Sequence, residues 1–242
     1  MNLLLLFADD FIANDRVHLS DRRFEHIRKI HRAKEGDQLT VGQIDGLIGL
    51  GTIERMDKNG IEISVSFHQP PPKALPVHII LALPRPLMLK RSLQNMATMG
   101  VKKISLIHTA RVEKSFWQSP ELEDTKLKEN LALGLEQAKD TRMPEIAFHK
   151  NFNYFAKHSL PTFQNKTTCL IAHPGDKPCP IAINQKSEQE ITLAIGPEGG
   201  FIRDEVDTFL ANGFDAVSLG ERILRVETAI PVLLARLFDS CI

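Results

Sequence analysis

Glu198, Arg225 and Glu227 are charged residues carried on two glycine turns. Carboxylates and a guanidinium so placed suit proton transfer and the holding of negative charge. The first turn, Ile195-Gly196-Pro197-Glu198-Gly199-Gly200-Phe201, closes the apolar run Ile191 to Ile195. The second, Leu219-Gly220-Glu221-Arg222-Ile223-Leu224-Arg225-Val226-Glu227-Thr228-Ala229, closes Ala216 to Leu219. A helical pattern follows each. The chain thus repeats a strand–glycine turn–helix unit, and ligands of open α/β sheets bind at the carboxyl ends of such strands. Glycine lets backbone N–H and C=O groups approach a ligand with no Cβ in the way. Gly-Pro and Gly-Gly pairs are also ordinary loop punctuation; it is two such turns on similar strands that point to a site. No Gly-x-x-x-x-Gly-Lys-Ser/Thr occurs, and no Gly-x-Gly-x-x-Gly follows a strand, which argues against a P-loop or a dinucleotide fold.

The paired motif Gly196-Pro197-Glu198-Gly199-Gly200 and Leu219-Gly220-x-Arg222-Ile223-Leu224-Arg225-x-Glu227-Thr228-Ala229 resembles the SPOUT class of S-adenosylmethionine-dependent RNA methyltransferases. It is most similar to the RsmE family, which methylates N3 of a uridine in 16S ribosomal RNA. Arg23-Phe24-x-His26-x-x-x-x-x-Arg32-x-x-x-Gly36-Asp37 resembles the family's N-terminal domain. Glu136-Gln137 and Arg142-x-Pro144-Glu145-Ile146 resemble its middle segment. The resemblance implies a small PUA-like RNA-binding β-barrel over 1–70. It implies an α/β domain with a parallel sheet over 71–242, closing in a C-terminal trefoil knot. It further implies S-adenosyl-L-methionine as cofactor, 16S rRNA within the 30S subunit or its precursor as substrate, and a homodimer; the cysteine usage, three in number with no Cys-x-x-Cys spacing, suggests a reducing, cytoplasmic setting.

Under that reading the cofactor lies among Leu170, Ala172 and His173, then Ile195, Gly196, Pro197, Glu198, Gly199 and Gly200, then Leu219, Gly220, Ile223, Leu224 and Thr228. Methylation of uridine N3 requires loss of its proton and support for the negative charge left on O2 or O4. Arg225, charged at any working pH, is the candidate for that support. Glu198 or Glu227 could take the proton if burial raised its basicity; Glu198 stands with Arg225 as a candidate catalytic residue, and the sequence does not assign the base. Glu227 reads better as a carboxylate at a helix N-terminus. Two departures from the family concern the RNA target. Asn95 to Val101 lacks the family's acidic residue, and Thr109-Ala110-Arg111 stands where the family has Glu-Arg before Cys or Ser.

The 242 residues carry 30 basic and 30 acidic side chains and no formal net charge. RNA binding draws on positive charge, so its distribution matters more than its sum. Arg22, Arg23, Arg28 and Arg32 fall in one basic stretch; Arg85, Lys90 and Arg91 fall in another, and Arg111 matches the family's arginine. No apolar run approaches the length of a membrane span, and Leu3 to Phe7 reads as a strand. The three cysteines have no Cys-x-x-Cys spacing and the nine histidines no metal-ligand spacing, so neither disulfides nor a metal site is expected.

The elements that must hold these residues divide at Gln69-Pro70-Pro71-Pro72-Lys73-Ala74-Leu75-Pro76, where consecutive prolines resist helix and sheet. Before it, Ile61 to Phe67 alternates as a half-buried strand, and Asp21 to Ala33 reads as a helix. After it, strands at Val77–Leu83, Ile104–His108, Thr167–Ala172, Ile191–Ile195 and Ala216–Leu219 alternate with helices at Leu87–Met99, Pro120–Ala138, Arg203–Ala211 and Glu227–Phe238. Gly175 to Glu190 is a polar loop. That alternation implies a parallel sheet covered on both faces. Two other functions fit the same features: a non-catalytic RNA-binding or ribosome-assembly factor, and a SPOUT methyltransferase of tRNA or another base.

Overall fold

Short β-branched and leucine-rich segments build two separate sheets in the computed structural model, which describes residues 2–164, 166–175 and 190–238. By its contacts the chain divides into two units: residues 1–73 with 132–143, and residues 74–131 with 144–242.

In the first unit β1 (Leu4–Leu6), β2 (Phe11–Ala13), β3 (Arg16–Leu19), β4 (Gln38–Gln43), β5 (Ile48–Met56) and β6 (Ile61–Gln69) form one curled sheet, ordered β1-β4-β5-β6-β3-β2. Only β1 and β4 run parallel. The alternation read in β6 is real: Ile61, Ile63 and Val65 turn inward with Leu4, Leu6, Val17, Leu19 and Val41. Phe24 and Ile27 close this core from the helical segment. That segment is not one α-helix. Asp21 caps α1 (Arg22–His26) by accepting from Arg23 N at 2.9 Å. A π turn over Ile27–His31 follows, and Arg32 ends it in the left-handed region at φ 52°.

In the second unit β7 (Val77–Ala82), β8 (Lys103–Ile107), β9 (Glu145–His149), β10 (Thr168–Ala172), β11 (Ile191–Ile195) and β12 (Asp215–Val217) form an all-parallel sheet ordered β12-β10-β11-β7-β8-β9. All five residues of β11 are buried, and a fully buried aliphatic side chain contributes about 1.5–3 kcal/mol. Helices α2 (Pro86–Thr98), α3 (Asp124–Ala138), α4 (Phe152–His158), α5 (Arg203–Ala211) and α6 (Val226–Leu237) link or follow the strands; residues 132–138 of α3 group with the first unit. The expected helix from Pro120 begins instead with a 3₁₀ turn over Pro120–Leu122. Strand β9 and helix α4 were not legible in the sequence. β9 is an edge strand exposing Glu145, Ala147 and Phe148, so it shows no alternation. Residues 176–189 of the polar loop lie outside the described residues, as do Cys179 and Cys241; Cys169 is buried.

The register sets up the site. Ala172 of β10 pairs with Ile195 of β11 on one side and Val217 of β12 on the other. Three strands therefore end at one level, and both glycine turns leave the sheet from there.

Candidate active site at the carboxyl edge of the parallel sheet

A cavity of about 390 Å³ lies where these strands end. Its walls are Ala172 to Pro174, Ile195 to Phe201 and Val217 to Val226, with Ala229 and Leu233 of α6 behind. In the first turn Gly200 N donates to Pro197 O at 2.7 Å. A Cβ on Gly196 would stand 3.1 Å from Phe201 N and 3.2 Å from the Gly200 backbone, so the turn closes this tightly only around glycine. In the second turn Gly220 has φ 108°, open to glycine alone. Ser218 Oγ accepts from Gly220 N at 3.1 Å and holds that turn.

Of the sequence-predicted cofactor set, Ala172, His173, Ile195 to Gly200, Leu219, Gly220, Ile223 and Leu224 meet on these walls. Leu170 does not: it is buried in the middle of β10, paired with Leu193 and Asp215. Thr228 lies off the wall, exposed on the first turn of α6, where its N–H donates to Arg225 O at 3.0 Å. Glu221 and Arg222 line the cavity and were not singled out, although they stand in the quoted motif between Gly220 and Ile223.

Three side chains brace the first turn. Glu198 Oε1 accepts from Arg85 N at 3.0 Å, which sets a carboxylate at the N-terminus of α2, where helix dipole and free N–H groups favour negative charge. Arg111 donates from Nη1 to Gly199 O. Glu205, buried, accepts from Ile202 N at 3.0 Å and from Ala110 N at 2.6 Å, tying the start of α5 to the loop after β8. Glu205 was missed by sequence reasoning; its one signal is its third position in α5, where glutamate reaches back to the cap. Arg225 is exposed on the cavity wall. Its backbone caps α6, and its guanidinium makes no hydrogen bond or ion pair among the described residues. Glu227 is 11 % exposed in the first turn of α6, with Arg91 Nη1 4.0 Å from its Oε1.

The basic residues proposed for RNA separate into distinct environments. Arg23 is a correction. It is buried, and all five of its N–H donors are engaged: by Asp21, by a two-pronged pair with Asp10, and by Leu5 O. Such a guanidinium has nothing left for a phosphate. Arg22 is forked onto Glu136 by two 3.1 Å bonds, and burial raises the Glu136 carboxyl above its ordinary range against the pull of Arg22. Arg28 lies over the Phe24 ring and pairs with Glu25 at the surface. Arg32 is exposed and without a side-chain partner among the described residues. Arg85, Lys90 and Arg91 are exposed on or beside α2. Among the described residues no group of His, Cys, Asp or Glu could hold a metal ion, and no helix is long and apolar enough to cross a membrane.

Comparison with known proteins agrees with this arrangement. A family model described as an RNA methyltransferase domain matches residues 71–238, and one described as an RNA methyltransferase PUA domain matches residues 19–66. Two curated relatives carry the name Ribosomal RNA small subunit methyltransferase E or E 1. The Treponema pallidum protein is 28 % identical over 95 % of this chain and 87 % of its own length. The Borreliella burgdorferi protein is 27 % identical over 95 % and 94 %. Among solved structures, a methyltransferase of Legionella pneumophila in complex with bound SAM superposes with a TM-score of 0.76 at 22 % identity, over 97 % of this chain and 95 % of that one. Ribosomal RNA small subunit methyltransferase E of Neisseria gonorrhoeae, bound to S-adenosyl methionine, gives 0.71 at 19 % over 96 % and 95 %. The glycine turns and the parallel sheet that carries them thus lie inside a matched segment covering most of the sequence, and the chain belongs to the RNA methyltransferase domain family.

Proposed function

We propose that this protein transfers a methyl group from S-adenosyl-L-methionine to N3 of a uridine in small-subunit ribosomal RNA. The observation that carries the reading is the cavity itself: two glycine turns leaving strands of equal height, with apolar walls and open backbone. The residues fit the cofactor. Ile195, Leu224 and Leu233 offer an apolar slot, and the backbone of Leu219 to Leu224 offers hydrogen-bond partners for a flat heterocycle. When bound, the cofactor supplies the electrophilic methyl group.

This chain's own residues do the rest. Arg225 holds the negative charge that develops on O2 or O4 as N3 loses its proton. Glu198, on the same wall, is exposed at the N-terminus of α2, without the burial that would raise its basicity, so its part is to hold the first turn, and water takes the proton. Arg111 and Glu205 keep the first turn rigid around the reacting groups. The names of the curated relatives support ribosomal RNA of the small subunit as substrate. The uridine, the 30S context, the knot and a homodimer follow from the SPOUT resemblance; the division into a barrel over 1–70 and a transfer domain over 71–242 rests also on the proline-rich junction, and a cytoplasmic setting on the cysteine usage.

Calorimetry with S-adenosylmethionine tests the cofactor claim. A Cβ on Gly199 would stand 3.1 Å from Arg111 Cδ, the middle of a flexible side chain. Gly199→Val is therefore expected to fold, displace Arg111 and abolish binding. Equal binding by variant and parent would sink the cofactor site. Mass spectrometry of rRNA and tRNA nucleosides from a deletion strain then identifies the methylated base.

A further inference from the structure

The loop after β8 carries a second feature besides Arg111. Trp117, on the 3₁₀ turn Lys114–Gln118, donates from Nε1 to His108 Nδ1 at 2.9 Å, so its indole is held in one orientation. The Phe148 ring of β9 stands 6.4 Å from it at 69°, an edge-to-face pair. Lys150 Nζ lies 5.6 Å from the Trp117 ring centre. Packing alone leaves one fact unexplained: Phe148 is 45 % exposed at the end of an edge strand. The pair lies toward the carboxyl ends of the parallel strands, as the cavity does. His108 and His149 end neighbouring strands, joined by His108 N donating to His149 O at 2.9 Å. β9, which carries Phe148, lies three strands from β11, roughly 14 Å at about 4.8 Å per strand. The segment holding Trp117 is fastened to the cavity through Arg111 and Gly199 O.

We propose that Trp117 and Phe148 form a stacking platform for an unpaired base of the RNA substrate, on the same strand as the base that enters the cavity. The proposal rests on the methyl-transfer reading for the identity of the substrate. Aromatic faces bind bases of any sequence, and cations beside them take up the backbone phosphates. Arg111, Lys114 and Lys150 supply those cations, against Glu113 alone in the same loop. Lys150 can leave the indole for a phosphate as a base arrives, because cation–π attraction is weak at an exposed site. Specific RNA recognition targets such splayed, single-stranded bases.

Trp117 is the chain's single tryptophan, so its emission reports this site directly. A labelled oligouridylate is titrated in while anisotropy follows binding and Trp117 emission follows stacking. The expected result is saturable quenching in step with binding, and none with heparin, a polyanion without bases. Phe148→Leu keeps the apolar bulk and removes the aromatic face. It is expected to weaken RNA binding about tenfold, as loss of one stacked base does, and to leave S-adenosylmethionine binding at the parent value. Emission unchanged at saturating RNA, equal quenching by heparin, parent-like RNA binding by Phe148→Leu or no RNA binding at all would each overturn the platform. The cofactor titration is independent of Phe148, so a failure of the methyl-transfer reading is seen separately.

Discussion

Asn95 on α2 donates from Nδ2 to the backbone oxygen of Glu227 on α6 at 2.9 Å. That oxygen is the acceptor four residues before Pro231, which sits inside α6 and has no N–H to give it. A side chain of one helix therefore repairs the hydrogen-bond ladder of another, directly behind the second glycine turn.

Asn95→Ala leaves the Glu227 carbonyl without its donor, at a cost of about 1–3 kcal/mol. The expected fall in melting temperature is roughly 2–4 °C for each of those kcal/mol. Pro231→Ala restores an N–H within the helix, so in the Asn95→Ala background it should recover much of the loss. Thermal melts of the two single variants and the double variant form the cycle that measures this. Strict additivity would mean that Asn95 does not serve the carbonyl Pro231 leaves open.

The four arginines of the N-terminal basic stretch should behave differently. Reversing Arg28 and Arg32, both exposed, is expected to weaken rRNA binding and flatten its salt dependence, by roughly 0.7–0.9 of a log unit per lost phosphate contact. The melting temperature should hold. Arg23→Ala instead leaves Asp10 and Asp21 without their counter-charge and should cost about 3–5 kcal/mol. Filter binding at three salt concentrations, with a melt on each preparation, separates the two classes. An unchanged slope for the Arg28 and Arg32 reversals would return them to the role of a solvated face.

This division shows where sequence stops. Arg22, Arg23, Arg28 and Arg32 are one cluster by spacing, but partners decide what each can do. Arg23 meets Asp10, 13 residues away, across a packed core. The glycine turns were legible because Gly196 and Gly220 do what no other residue type can, and β11 because an unbroken apolar run can only be buried. Leu170 and Ala172 looked alike in the sequence. Register alone puts one inside the sheet and the other at its end. β9 gave no signal, since a strand paired on one edge does not need alternating residues.

His78 supplies a pH dependence. Its ring is desolvated by burial and further disfavoured as a cation by Lys103, only partly offset by Glu190, so its pKa is lowered from 6.5 to about 4. The unfolded imidazole takes a proton near 6.5 and the folded one does not until about 4. Folded protein thus binds fewer protons across that window. Stability fully present above pH 6.5 is lost as the pH falls through it, on the order of 3 kcal/mol. His78→Gln keeps a polar partner for Ser105 Oγ, which the ring contacts at 2.9 Å, and removes the titration. Urea midpoints at pH 7 and pH 4.5 should converge for the variant relative to the parent; a difference that stays constant would mean His78 titrates normally.

Arg225 carries the sharpest test of the chemistry. Its backbone oxygen accepts from Thr228 N and Ala229 N at 3.0 and 2.8 Å, and those bonds start α6 whatever side chain is present. Its guanidinium is exposed on the cavity wall and bonds no other described residue. Removing it should therefore cost the fold almost nothing. A positioned donor aimed at developing negative charge contributes about 10²–10³ in rate. Arg225→Ala is expected to keep the parent melting temperature and cofactor affinity while losing single-turnover methylation of rRNA by about that factor. Arg225→Lys should recover part of the rate, since a point charge cannot reproduce a two-pronged contact. Rate and melting temperature are measured on one preparation. A melting temperature that falls while the rate holds would make Arg225 a structural tie, and the support for the uridine anion would have to come from Arg222, the other arginine on the same wall.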